Sequence, residues 1–127
     1  ERKGLGGVRL GDRWIHGWSS RALRIDADGW TDGVRWAPDR PATQGPVLAR
    51  TTVEVDAPAD GFLALPGWGK GFVWLNGRLL GRYWEVGPQV TLYAPGAWWR
   101  AGTNEVVVCE LLAPGDVVEV RDTPELG

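Results

Sequence analysis

Leu65-Pro66-Gly67-Trp68-Gly69-Lys70-Gly71-Phe72-Val73-Trp74-Leu75-Asn76-Gly77-Arg78-Leu79-Leu80 is the stretch that decides the fold. At its centre Asn76-Gly77 separates Phe72-Val73-Trp74-Leu75 from Arg78-Leu79-Leu80. Asn and Gly both tolerate positive φ, which the tight turn of a two-residue hairpin requires. The spacing therefore predicts one strand over 71–75 and a second starting at Arg78. Upstream, Pro66-Gly67 is a further turn signal, closing a short strand over 61–65.

Outward from this hairpin the same texture repeats. Residues 47–56 alternate, with Val47, Ala49, Thr51, Val53 and Val55 on one face and Leu48, Arg50, Thr52, Glu54 and Asp56 on the other. That period of two fits a half-buried strand. Residues 90–93, 105–112 and 116–121 read as further strands, and 105–112 is apolar on both faces at its centre, as an internal strand would be. Residues 21–26 alternate and fit either a strand or a short turn of helix. Turn signals between these segments include Gly11-Asp12, Asp28-Gly29, Asp32-Gly33, Gly87-Pro88, Pro95-Gly96 and Pro114-Gly115. Short alternating segments with frequent turns predict an all-β protein, and about eight strands predict a jelly-roll β-sandwich. One domain over 1–122 is expected, followed by a frayed tail at 123–127.

Bulk composition bounds the partners. The chain has 127 residues, 43% hydrophobic and 24% charged, with a net charge of −2. This is the size and balance of one folded domain. No basic face points to nucleic acid, and no apolar run approaches the roughly 20 residues that span a membrane. The single cysteine, Cys109, excludes an internal disulfide and reads as a small hydrophobe within Val106-Val107-Val108-Cys109. The sequence contains no Met and starts Glu1-Arg2-Lys3-Gly4, so a fragment or processed product is expected. Nine Trp stand out, each a large apolar surface with one N–H that needs a partner.

From Asp60 onward the chain resembles the jelly-roll domain of glycoside hydrolase family 35 β-galactosidases. The resemblance rests on segments in order: residues 65–71 of the opening stretch, then Val73-Trp74-Leu75-Asn76-Gly77, Leu80-Gly81-Arg82-Tyr83-Trp84, Gly87-Pro88-Gln89, Thr91-Leu92-Tyr93-Ala94-Pro95 and Asn104-Glu105-Val106-Val107-Val108. Before Asp60 the likeness is looser: Val47-Leu48-Ala49-Arg50 stands where family members usually carry aromatics. The resemblance implies a galactose-binding-like sandwich from the C-terminal part of the enzyme, beside a catalytic barrel. It also implies that an N-terminal edge strand is absent or supplied by another part of the parent.

A glycosidase needs two carboxylates facing one another across the scissile bond. The acids here fall mostly in turns or on solvent-facing strand positions, and the family's catalytic pair belongs to the barrel, so no catalytic residue is expected. Glu85, beside Tyr83-Trp84, is the best candidate for a perturbed acid. His16 has Ser19 and Ser20 nearby but no nucleophile-elbow motif. The acidic stretch 26–33 reads as two successive Asp-Gly turns; an EF-hand would need an acid or amide at Trp30 and Gly at Thr31, so no metal or cofactor is expected. Carbohydrate contact is the serious candidate: Trp68, Tyr83, Trp84, Trp98 and Trp99 lie in or next to loops, with Asn76, Arg82 and Gln89 as polar partners. The same residues are equally candidates for a domain interface, because Trp, Tyr and Arg anchor such contacts. Trp74, flanked by strand residues, reads as core. Two functions result, with docking on the parent's barrel, and with it a role at the substrate entrance, ahead of independent recognition of galactose or β-galactosides. A free-standing hydrolase comes last.

Overall fold

A computed structural model describes residues 6–22, 24–25, 29–38 and 45–126. The hairpin at Asn76-Gly77 forms as expected, joining β5 (Lys70–Leu75) to β6 (Arg78–Trp84) with Leu75 paired to Arg78. Asn76 and Gly77 both take positive φ, 49° and 79°. Pairing on the other side of β5 is with β8 (Gly102–Glu110), and β8 pairs in turn with β3 (Val47–Val55). The result is a four-stranded antiparallel sheet in the order β3-β8-β5-β6. Facing it is a three-stranded sheet, β7-β4-β9, built from β4 (Gly61–Ala64), β7 (Thr91–Ala94) and β9 (Glu119–Arg121). This is the all-β sandwich, and alternation decides what lies between its layers. Val73 and Leu75 of β5, Val106 and Val108 of β8, and Leu63 and Leu92 of the smaller sheet form the buried core. Ala49, Val53 and Val55 pack against it from β3, as the period of two predicts.

Two local features set the approach of the strands. Opposite Val73 and Trp74 the register of β6 shifts, so Gly81 pairs with Val73 while Leu79 pairs with Trp74. Gly71 lies so close to β8 that an added Cβ would sit 1.9 Å from the Cys109 carbonyl oxygen, so glycine is required there.

Among the described residues the strands number nine, one more than expected. The additions are β1 (Val8–Leu10) and β2 (Arg13–Ile15), a hairpin whose two strands pair only with each other. Three-residue strands are too short to show a period in sequence, which is why they were not anticipated. The described residues of the 21–26 segment contain no strand. At the C-terminus the anticipated fraying does not describe Glu125. Its N–H donates to the Thr91 hydroxyl at 2.9 Å, and its carbonyl accepts from the Thr91 N–H at 3.3 Å.

Candidate functional site

The eight residues singled out from sequence do not form one surface. Trp68, Tyr83 and Trp99, expected to face a ligand or a neighbouring domain, are buried in the core. Each finds an internal partner for its polar handle, as a buried aromatic must. The Trp68 indole N–H donates to the Val117 carbonyl at 2.8 Å and that of Trp99 to the Ala94 carbonyl at 3.3 Å. Tyr83 lies within β6 rather than a loop, and its hydroxyl donates to Glu110 at 2.5 Å.

Asn76 is a structural clamp. Its amide nitrogen donates to the Trp98 carbonyl and to Asn104 Oδ1, both at 2.8 Å, while its oxygen accepts the Glu105 N–H at 3.0 Å. The fully buried Asn104 continues the network, donating to the Arg100 and Gly102 carbonyls. Two side-chain amides thus tie the hairpin tip to the loop that enters β8. Arg82, Trp84 and Gln89 do remain together at the outer edge of β6. The Trp84 ring has the Lys70 ammonium 4.9 Å and the Arg82 guanidinium 5.9 Å from its centroid, and the backbone N–H of Trp84 donates to the Gln89 carbonyl at 3.2 Å. Trp98 stands apart at the hairpin tip, half-buried, with Arg78 5.6 Å from its ring centroid.

Among the acids, Glu85 is exposed and the one set in a special environment is Glu110. It is fully buried at the end of β8. Besides Tyr83, its carboxylate accepts from the N–H groups of Gly69 and Lys70 at 3.0 Å, Leu112 at 2.6 Å and Ala113 at 3.2 Å. Burial opposes the charge, but the hydrogen bonds from Tyr83, Lys70, Leu112 and Gly69 outweigh it and hold the carboxyl below the usual glutamate range. Burial, followed by the Glu110 partnership, pushes the Tyr83 hydroxyl far above its ordinary value. Burial and the same carboxylate raise the half-buried Cys109 thiol, which disfavours a reactive thiolate. The sequence carried one sign of Glu110: an acid that closes the apolar run Val106-Val107-Val108-Cys109.

Two further features went unread. Trp74 is buried, though on the outer face of the larger sheet rather than in the inter-sheet core, and Trp30 covers it with ring centroids 4.6 Å apart. A groove of about 420 Å³ opens beside this pair. Secondly, Trp14 and Trp18 are 59% and 66% exposed, on and just after β2. Of the stretch 26–33, Asp26, Ala27 and Asp28 lie outside the described residues; among those described, no group of acids, His or Cys is arranged to hold a metal.

Comparison with known proteins gives these features a setting. Residues 46–104 match the family model described as β-galactosidase, galactose-binding domain. Over its whole length the chain is 37% identical to human β-galactosidase-1-like protein 2, covering 21% of that protein. Human β-galactosidase-1-like protein 3 is 36% identical over 99% of the chain, which covers 20% of it. β-Galactosidase 1 of Dictyostelium discoideum is 30% identical over 95% of the chain, which covers 19% of it. The chain thus spans about a fifth of the length of the curated relatives it matches.

Proposed function

From a chain whose residues 46–104 match the β-galactosidase galactose-binding domain, we propose a non-catalytic accessory domain of a family 35 β-galactosidase that docks on the catalytic barrel toward the enzyme's C-terminus. The observation that carries this is the β1–β2 hairpin. Leu10 and Trp14, 76% and 59% exposed, stand on a two-stranded ribbon that joins neither sheet, and Trp18, 66% exposed, follows it. A lone hairpin is marginal in water, and two tryptophans more than half exposed on and beside it suit a surface that another body covers. Docking thereby moves from the loop aromatics near β6 to the N-terminal ribbon. Glu110, the one fully buried acid among the described residues, has its oxygens taken up by structural donors and is poorly suited to proton transfer.

The test adds the chain to the remaining four-fifths of a β-galactosidase relative. One-to-one co-elution is expected, weakened at least tenfold by Trp14→Ala with Trp18→Ala. No co-elution, or co-elution indifferent to those substitutions, removes the docking reading. Release of product from a chromogenic galactoside by the chain alone would remove the non-catalytic one. A second reading, an independent module for galactose or β-galactosides, is favoured by the groove over Trp74.

A further inference from the structure

The groove lies where the loop that starts at Gly29 meets the outer face of the larger sheet, and no residue of the β1–β2 hairpin lines it. Two consecutive turns hold the loop: the Asp32 N–H donates to the Gly29 carbonyl and the Val34 N–H to the Thr31 carbonyl, both at 3.0 Å. They set the half-buried Trp30 ring over Trp74, tilted by 45°. Around this pair stand Asp32, Arg100 and Glu105, with Gly77 of the hairpin tip leaving open space.

Trp74 supplies the independent sign. It is 1% exposed, it lines the groove, and its indole N–H has no hydrogen-bond partner among the described residues. Trp68 and Trp99, equally buried, both have theirs satisfied. A buried donor left without an acceptor costs on the order of 1–3 kcal/mol, so its persistence calls for a reason. An acceptor brought by a ligand is one.

We infer that this groove binds a neutral saccharide of one or two rings, its apolar C–H face lying on Trp30 and, once the groove wall opens over the shielded Trp74 Nε1, a hydroxyl or ring oxygen accepting from it. The volume suits this, since small-ligand pockets run from roughly 300 to 1,000 Å³. So does the chemistry. Sugar hydroxyls donate to the Asp32 and Glu105 carboxylates and accept from Arg100, whereas an anionic ligand would face two carboxylates against one guanidinium. Asn76, though it also lines the groove, has its amide fully engaged and acts only by fixing the wall.

The inference rests on the carbohydrate-binding reading, and the experiment separates the two. Methyl β-D-galactopyranoside and lactose are titrated into the isotopically labelled chain, with indole N–H signals and calorimetry read in parallel. Binding on the order of millimolar is expected, with the Trp74 and Trp30 indole signals moving most. Trp30→Ala and Asp32→Asn should each weaken it about tenfold, while Trp14→Ala leaves it unchanged; Asp32→Asn guards against loss of fold, because Asp32 is exposed. Calorimetric binding with the Trp74 signal unmoved would leave the reading standing and overturn the site. Absence of heat and of shifts with both sugars would overturn both, and preference for galacturonate over the neutral galactoside would overturn the ligand class.

Discussion

Strand β8 carries two glutamates, and the structure treats them in opposite ways. Glu110 points into the sandwich, is fully buried, and accepts from Tyr83 and four backbone N–H groups. Glu105 projects from the other face, half-buried, with Arg50 at 3.7 Å and the groove beside it. One end of the strand is polar and saturated; the other is polar and left with donors and acceptors to spare. Saturation separates a charge that holds the fold together from one available to a ligand. The alternation of a strand supplies both, because residues an odd number apart face opposite sides.

If that distinction is right, Glu110→Gln carries the largest effect. The amide keeps the volume but presents N–H donors to backbone N–H groups, so buried donors lose their acceptor. A loss of about 3–5 kcal/mol is expected in urea unfolding, a large part of the stability of a domain this size. A loss below about 1 kcal/mol would show that the buried end is not the saturated anchor described. The pH dependence sharpens the point. Because the folded carboxyl titrates below the ordinary glutamate value of 4.5, its contribution is complete above that pH and fades as pH falls through the lower folded value. Wild type should therefore lose stability on acidification below about pH 4.5 more steeply than Glu110→Gln.

Next in size is Asn76, on the side of the comparison where a candidate ligand residue proved to be saturated. Asn76→Ala removes the clamp and forces a Cβ-bearing residue without a local hydrogen bond into a φ of 49°. About 2–3 kcal/mol is the expected cost. Asn76→Gly keeps the turn and loses only the amide, so it should recover roughly 1 kcal/mol of that. Equal losses would mean that the backbone, not the network, fixes the tip.

Local signals made most of the sandwich legible. Asn76-Gly77 named its own turn, and the alternation of residues 47–55 named the face that Ala49, Val53 and Val55 pack inward. The site was far less legible, for a physical reason. Whether Trp68 or Trp99 is a lid or a ligand platform depends on whether an acceptor waits in the interior, and the Val117 carbonyl lies 49 residues from Trp68. The Glu110 cradle is assembled from N–H groups of two loops far apart in the chain, which carry no side-chain signature. The Trp30–Trp74 contact likewise joins a turn-rich lead-in to a central strand. Segment patterns report periodicity; they say nothing of such convergence.

The smallest effect belongs to Glu105, and its smallness is the point. Its side chain is 43% exposed and that of Arg50 45%, so the ion pair at 3.7 Å is screened by solvent. Glu105→Gln should cost about half a kcal/mol or less, and less still at high salt. Lactose affinity should fall severalfold in the same variant, since the groove loses a charged acceptor and the fold loses almost nothing. A chain destabilised by Glu105→Gln as much as by Glu110→Gln would erase the difference between the two ends of β8. Unchanged sugar affinity, with stability also unchanged, would leave the fold's account of Glu105 intact and remove this carboxylate from the groove's chemistry.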